Sequence, residues 1–301
     1  SDQPRGVFNI QINNAAPLES AKANVLTALW RDLYNMNISA LDTEANIAGM
    51  NISLSDSTGL TLTVSGFTDK QPQLLERAIN NLSFTVEQQA FEQAVDRYIR
   101  ELNNKGQQFP IYQSFDAYGQ LIREGGFNQE ELVETAGSVS AEDLSNYMNT
   151  MLSNNAIRIF AFGNYDEAGL NESVKRIKDS LPKNREVTDF EQAQFWEPQP
   201  EQSIVLRRDL EVADVALVDA HIHPQPGFES LAAGTVLQSH FRTVAFDTLR
   251  TEEQLAYAVG AFAPSLDQYA GFGLYIQTPV KNVADMQERF DSFKKEYWED
   301  L

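Results

Sequence analysis

The chain has 301 residues, with 23 Lys and Arg against 43 Asp and Glu, and carries a formal net charge of −20. Such a field repels a phosphate backbone and an anionic bilayer surface, which argues against nucleic-acid and membrane partners; it serves solubility or attracts basic peptides. No apolar run approaches the ~20 residues that span a bilayer, and the absence of cysteine removes disulfides, thiolate metal sites and a cysteine nucleophile together. The length suggests about two domains.

Taken in chain order, the start lacks the charged end and apolar core of a signal peptide, which says little about compartment. Phe8, Ile10 and Ile12 alternate with polar or small neighbours and predict a strand. Val25, Leu26, Leu29, Trp30 and Leu33 recur at helical spacing within 21–34. A short helix should cover 39–48 and stop at Gly49, which tolerates the left-handed conformation. Met50, Ile52 and Leu54 alternate, 55–59 turn the chain, and Leu60, Leu62 and Val64 alternate again, which predicts a hairpin.

Pro72 suits a helix start, and Thr85-Val-Glu-Gln88 has the form of a capping box opening a helix to about Asn103. Helical pattern follows over 111–124 and 129–136, and Ser140-Ala-Glu-Asp143 caps another helix to about Leu152. Ile157, Ile159 and Ala161 predict a strand ended by Gly163, and Leu170, Val174 and Ile177 a helix. Residues 182–202 mix prolines with polar residues and read as a linker. Beyond it, strands are expected over 203–210 and 213–222, a helix over 229–248 and a hairpin through Tyr257 and Phe272 to Gln277. A last helix carries Val283, Met286, Phe290, Phe293 and Tyr297. Helices segregated from antiparallel hairpins predict an α+β fold, with helices against one sheet face.

The chain also repeats itself. Shifted by 208, Leu249, Thr251, Glu252 and Ala256 fall on Leu41, Thr43, Glu44 and Ala48, and Thr235 and Leu237 fall on Thr27 and Leu29. Past the next turn the shift is 212, where Gly271, Leu274 and Glu288-Arg289 meet Gly59, Leu62 and Glu76-Arg77. So long a period implies two copies of one domain rather than a solenoid. The expected organisation is a complete domain over 1–182, a linker over 183–202 and an incomplete second copy over 203–301.

Chemistry has few candidates. His221 and His223, two apart on a strand, would face one way and with His240 could begin a zinc site; the alternative is a solvated strand end before Pro224. Neither His-Glu-x-x-His nor His-x-x-Glu-His occurs, and there is no P-loop or Gly-x-Ser-x-Gly elbow. Arg250 and Tyr257 remain, across a helix-to-strand corner, able to converge as donors to a carbonyl or oxyanion. The alternative pairs Arg250 with Glu252 or Glu253 and packs Tyr257 on the sheet. The first copy has Asp42 and Gly49 at these positions, so the donors belong to the second copy alone.

The run Leu249-Arg-Thr-Glu-Glu-Gln-Leu-Ala-Tyr257 resembles the Leu-Arg-Thr-x-Glu-Gln-Leu-Gly-Tyr segment of the pitrilysin/insulinase family of zinc metallopeptidases, the inverzincins, with Ala256 in place of the usual glycine. Val64-Ser-Gly-Phe-Thr-Asp-Lys-Gln-Pro72 and Phe162-Gly-Asn164 are similar to further segments of that family, in order. The resemblance implies the third domain and about the first half of the fourth, out of four homologous domains whose two halves close around a peptide. Zinc, its His-x-x-Glu-His ligands and the general base then belong to the first domain of an N-terminal half. No metal or cofactor is expected in this chain, and Arg250 and Tyr257 are expected to bind peptide near the scissile bond. A periplasmic or secreted location is implied in the same way. The alternatives are a non-enzymatic scaffold or core subunit of the same fold, or an unrelated α+β binding module. A truncated last domain should leave an open edge or apolar face that invites self-association.

Overall fold

The computed structural model describes residues 3–13, 15–57, 59–123, 125–181, 195–197, 199–210, 212–264, 266 and 268–301. They form two compact units. Unit 1 takes Ser1–Asn103 and Phe127–Gln194; unit 2 takes Asn104–Gly126 and Phe195–Leu301. Of the expected linker, residues 183–194 and 198 lie outside the described residues.

Unit 1 is built on strands β1 (Arg5–Ile12), β2 (Asn51–Ser55), β3 (Leu60–Phe67) and β4 (Ile157–Gly163), in the antiparallel order β2-β3-β1-β4. Alternation aims Phe8, Ile10, Ile12, Ile52, Leu54, Leu62 and Val64 at one face, where all are buried. Helices α1 (Ala21–Asn37), α2 (Ser39–Ile47) and α3 (Gln71–Asn80) contribute to that core, which holds Trp30 with its indole N–H donated to the Leu82 carbonyl at 2.9 Å. Helices α4 (Gln88–Gly106), α6 (Gln129–Ser138), α7 (Ala141–Ser153) and α8 (Glu167–Ser180) complete the layer. On the opposite sheet face the Thr63 hydroxyl donates to Asn9 at 2.7 Å, and β4 leaves Phe160 and Phe162 exposed there.

Local signals explain most boundaries. Gly49 takes φ 71° and ends the α2 turn, and Ser140 with Asp143 forms the expected reciprocal cap of α7. In the segment Val64–Pro72, Gly66 takes φ 127°, and the buried Gln71 amide donates to the Gly6 and Gly66 carbonyls at 2.6 and 3.1 Å. That stretch therefore ties the hairpin to β1. The Thr85 capping box does not form. Phe84 and Val86 pack on the core, so 84–87 stay outside the helix, which starts at Gln88.

Unit 2 repeats the plan with β5 (Val215–Pro226), α9 (Phe228–Ala245), β6 (Ala258–Phe262), β7 (Tyr269–Thr278) and α10 (Val283–Asp300), its sheet ordered β5-β7-β6. This matches β1-β3-β2 strand for strand. Leu274 and Ile276 face a core made with Phe241, Leu249, Met286, Phe290 and Phe293. The other face receives α5 (Pro110–Leu121), where Phe115 meets Phe262 and Tyr275 at ring-centroid distances of 5.0 and 5.6 Å. Residues 104–126, expected inside the first domain, thus pack in unit 2.

Two further expectations change. Residues 203–210 form no strand, and Ile204, Val205 and Leu206 stay exposed, because β propensity acts only where a sheet face buries the side chain. The helix expected to reach Thr248 is α-helical only to Ala245 and continues as a π-helix over Phe246–Glu252.

Candidate functional site

The site lies at this π-helical corner. In the first copy the Thr43 hydroxyl returns to the carbonyl four residues back, Ser39, at 2.8 Å; its counterpart Thr251 reaches five back, to Phe246, at 3.5 Å. The wider winding closes with Leu255 N–H donating to the Leu249 carbonyl at 3.0 Å and Gln254 at φ 49°. Leu249 stays buried, as Leu41 does. The apolar anchor is shared while the winding differs, and π-bulges of this kind recur at functional sites.

Arg250 sits inside the π stretch, not after the helix as expected, and Tyr257 immediately precedes β6. Both line one open pocket of about 600 Å³, with Phe246, Thr251, Thr278 and Val280 around them. Arg250 is half-buried, and among the described residues it forms no ion pair. Glu253 is held by Arg289, whose Nε lies 3.0 Å from Oε2. The first copy makes the equivalent bridge between Arg77 and Glu44 at 3.3 Å. By the repeat, Arg289 should meet Glu252; the bridge has moved on by one residue, as the wider turn requires. This bridge takes Glu253 and leaves the guanidinium of Arg250 facing the pocket.

Tyr257 is not packed flat on the sheet. It is 59% exposed, and its phenol oxygen is fixed from behind. Gln277 Nε2 donates to that oxygen at 2.7 Å and to Asp214 Oδ2 at 2.7 Å, while the hydroxyl donates to Asp214 Oδ2 at 3.3 Å. Gln277 is itself 1% exposed, and its Oε1 accepts the Ile111 N–H at the start of α5 at 3.1 Å. Desolvation, followed by the charge of and hydrogen bond to Asp214, pushes the phenol above its usual range, and donation from Gln277 pulls the other way. The hydroxyl therefore stays protonated at neutral pH. A guanidinium fork and a neutral phenol opening on one pocket can both donate to a carbonyl or an oxyanion.

Gln277 and Asp214 were not anticipated. The repeat carries the signal: at the shift of 212, Gln277 replaces Ser65, on the sheet face opposite the core. Asp214 falls in a strand-end segment with no pattern to mark it.

The three histidines do not gather. His221 lies 2.9 Å from Lys294 Nζ and 3.1 Å from Asp219 and stacks on Phe272; His240 meets the Tyr297 hydroxyl at 2.8 Å; His223 accepts the Gln225 N–H at 3.2 Å. Among the described residues no group of three or more His, Cys, Asp or Glu is placed to hold a metal ion, so these residues do not fit a zinc site. No described helix is long and apolar enough to cross a membrane.

Duplicated open antiparallel sheets with helices layered on a face define an α+β class, the second copy carrying a donor pocket. The solved structure entitled "Crystal Structure of pitrilysin" matches with a TM-score of 0.84 at 22% identity, over 96% of this chain and 31% of that one. Residues 2–135 match the model of the middle or third domain of peptidase M16, and residues 138–298 match the model of the peptidase M16 inactive domain. The chain belongs to the peptidase M16 family and corresponds to its non-catalytic C-terminal part. Protease 3 of Shigella flexneri is 23% identical over 97% of this chain and 30% of its own length. The A-factor-processing enzyme of Saccharomyces cerevisiae is 26% identical over 89% of this chain and 26% of its own. The chain thus spans under a third of the length of these relatives.

Proposed function

We propose that this chain is the substrate-binding, non-catalytic C-terminal half of a zinc metalloendopeptidase of the pitrilysin/insulinase type. In this reading 1–182 is third-domain-like, 183–202 a linker and 203–301 fourth-domain-like, with the helix of 104–126 recruited to the latter. The observation that carries it is the shared pocket of Arg250 and Tyr257, an uncommitted guanidinium beside a protonated phenol, in a chain that matches the family over its whole length. Arg250 and Tyr257 hold a peptide carbonyl and stabilise the charge that develops on it. Zinc is bound by the N-terminal half, which is the chain's principal partner, and no metal step runs through the residues described here. Peptide is the ligand, nucleic acid and membrane are not partners, and a periplasmic or secreted location is proposed from the family resemblance alone. Among the described residues β5 stands at the edge of its sheet, where unit 1 has β4 beside β1, and self-association is proposed there.

The test mixes this chain with the matching N-terminal half. Neither part alone should hydrolyse peptides, and the mixture should do so in a chelator-sensitive way. Chelator-sensitive cleavage by this chain alone, or an inactive mixture of two folded halves, overturns the reading.

A further inference from the structure

If Tyr257 binds peptide, something must hold its hydroxyl ready, since the ring stands exposed at the mouth of a strand. Three facts identify the support. Gln277 is almost fully buried, so its amide cannot turn to solvent. Its Oε1 accepts from a backbone N–H, Ile111, which can only donate; this fixes which end of the amide is which without appeal to the phenol. Its Nε2 must then face the Tyr257 oxygen and Asp214, at 2.7 Å each. A phenol oxygen that receives a hydrogen bond has only its own hydrogen left to give, and Asp214 Oδ2 lies 3.3 Å away, a long contact for that hydrogen.

We propose that Gln277 is the positioning residue of Tyr257. Its amide, locked by α5, fixes the phenol oxygen, and Asp214 parks the hydroxyl hydrogen until a peptide carbonyl displaces it. The inference rests on the peptide-binding reading of Tyr257. No covalent bond is made or broken: the O–H rotates from a long contact with Asp214 to the substrate oxygen, while donation from Gln277 polarises it. The first copy has Ser65 and Gly49 at these positions and has no such device. Helix α5 is thereby part of the site, although its sequence lies more than 130 residues before Tyr257.

The test has two arms. In the first, the chain is labelled with ring-¹³C tyrosine, the Tyr257 signal is assigned by Tyr257→Phe, and its titration is followed by NMR. Asp214→Asn should lower the Tyr257 pKa and Gln277→Leu should raise it, since one removes a repelling charge and the other a stabilising donor. Gln277→Glu, nearly isosteric and free of the packing change, should also raise it. Shifts in one common direction, or none, overturn the clamp. In the second arm, the full-length protease carries the same changes. Gln277→Leu should cut turnover about tenfold with KM little changed, and should cost nothing further on a Tyr257→Phe background. Additive losses overturn the positioning role. A Tyr257→Phe enzyme of unchanged activity overturns the peptide-binding reading instead, and opposite tyrosine shifts in the first arm would still establish the clamp.

Discussion

The two copies share a scaffold and differ in what they do with the face and corner that the scaffold leaves free. In unit 1 the outer face of the sheet carries the Thr63–Asn9 hydrogen bond and leaves Phe160 and Phe162 exposed, Asp42 and Gly49 stand at the helix-to-strand corner, and α2 is ordinary α-helix. In unit 2, α5 covers the matching face, the corner winds as a π-helix, and Arg250 and Tyr257 occupy the two positions. The inner layer diverges too. Ile10 pairs with Leu62 in the first sheet, and Asp219 pairs with the counterpart Leu274 in the second. An apolar contact has become an ionic cluster with His221 and Lys294. Duplication has kept the anchors, Leu41 and Leu249, and released the positions around them.

The comparison can be broken at several points. The largest effect should come from the anchors: Leu41→Ala and Leu249→Ala should each cost about 2–5 kcal/mol in denaturant unfolding of the affected unit. A neutral result at either would deny that the two corners are equivalent. Next, on the proposed reading, Arg250→Ala in the full-length parent should lower kcat/KM roughly 10²-fold with stability within about 0.5 kcal/mol, while Asp42→Ala leaves kcat/KM unchanged. Equal losses from both would make the second corner merely architectural.

Acid should test the ionic cluster of the second copy. Burial opposes ionisation of Asp219, but hydrogen bonds and charges from His221 and Lys294 outweigh it and hold the pKa down to about 2. A depressed carboxylate stabilises the fold above its unfolded pKa, and that contribution is lost as pH falls from about 4 to about 2, here about 2 kcal/mol at most. Asp219→Asn should flatten this loss for unit 2, as followed by hydrogen exchange of β5 and α10. A pH profile unaltered by the substitution would count against the cluster. The smallest effect concerns the paired bridges. Arg289–Glu253 involves side chains 22% and 30% exposed, against 57% and 66% for Arg77–Glu44. Double-mutant cycles should give about 1 kcal/mol for the former and near zero for the latter.

Much of this was legible from the residues. Strand alternation at Phe8-Ile10-Ile12 and at Leu60-Leu62-Val64, the Gly49 stop and the Ser140 cap are local signals, and local physics decided them. The repeat foretold a shared strand order and isolated Arg250 and Tyr257. What stayed hidden depends on distant partners. The π winding has no composition of its own; it shows only in where Thr251 and Glu253 find their bonds. Gln277 reads as an ordinary strand residue until α5 buries it. Residues 203–210 have strand composition but no sheet to join.

The capture of residues 104–126 by unit 2 has an effect on how the molecule is made. That helix leaves the ribosome well before the strands it covers. The Ile111–Gln277 bond joins residues 166 apart, so unit 2 pays a long loop closure before its sheet gains a second layer. A protein cut at 182 would carry a stranded helix, and one begun at 203 would bare Phe262 and Tyr275.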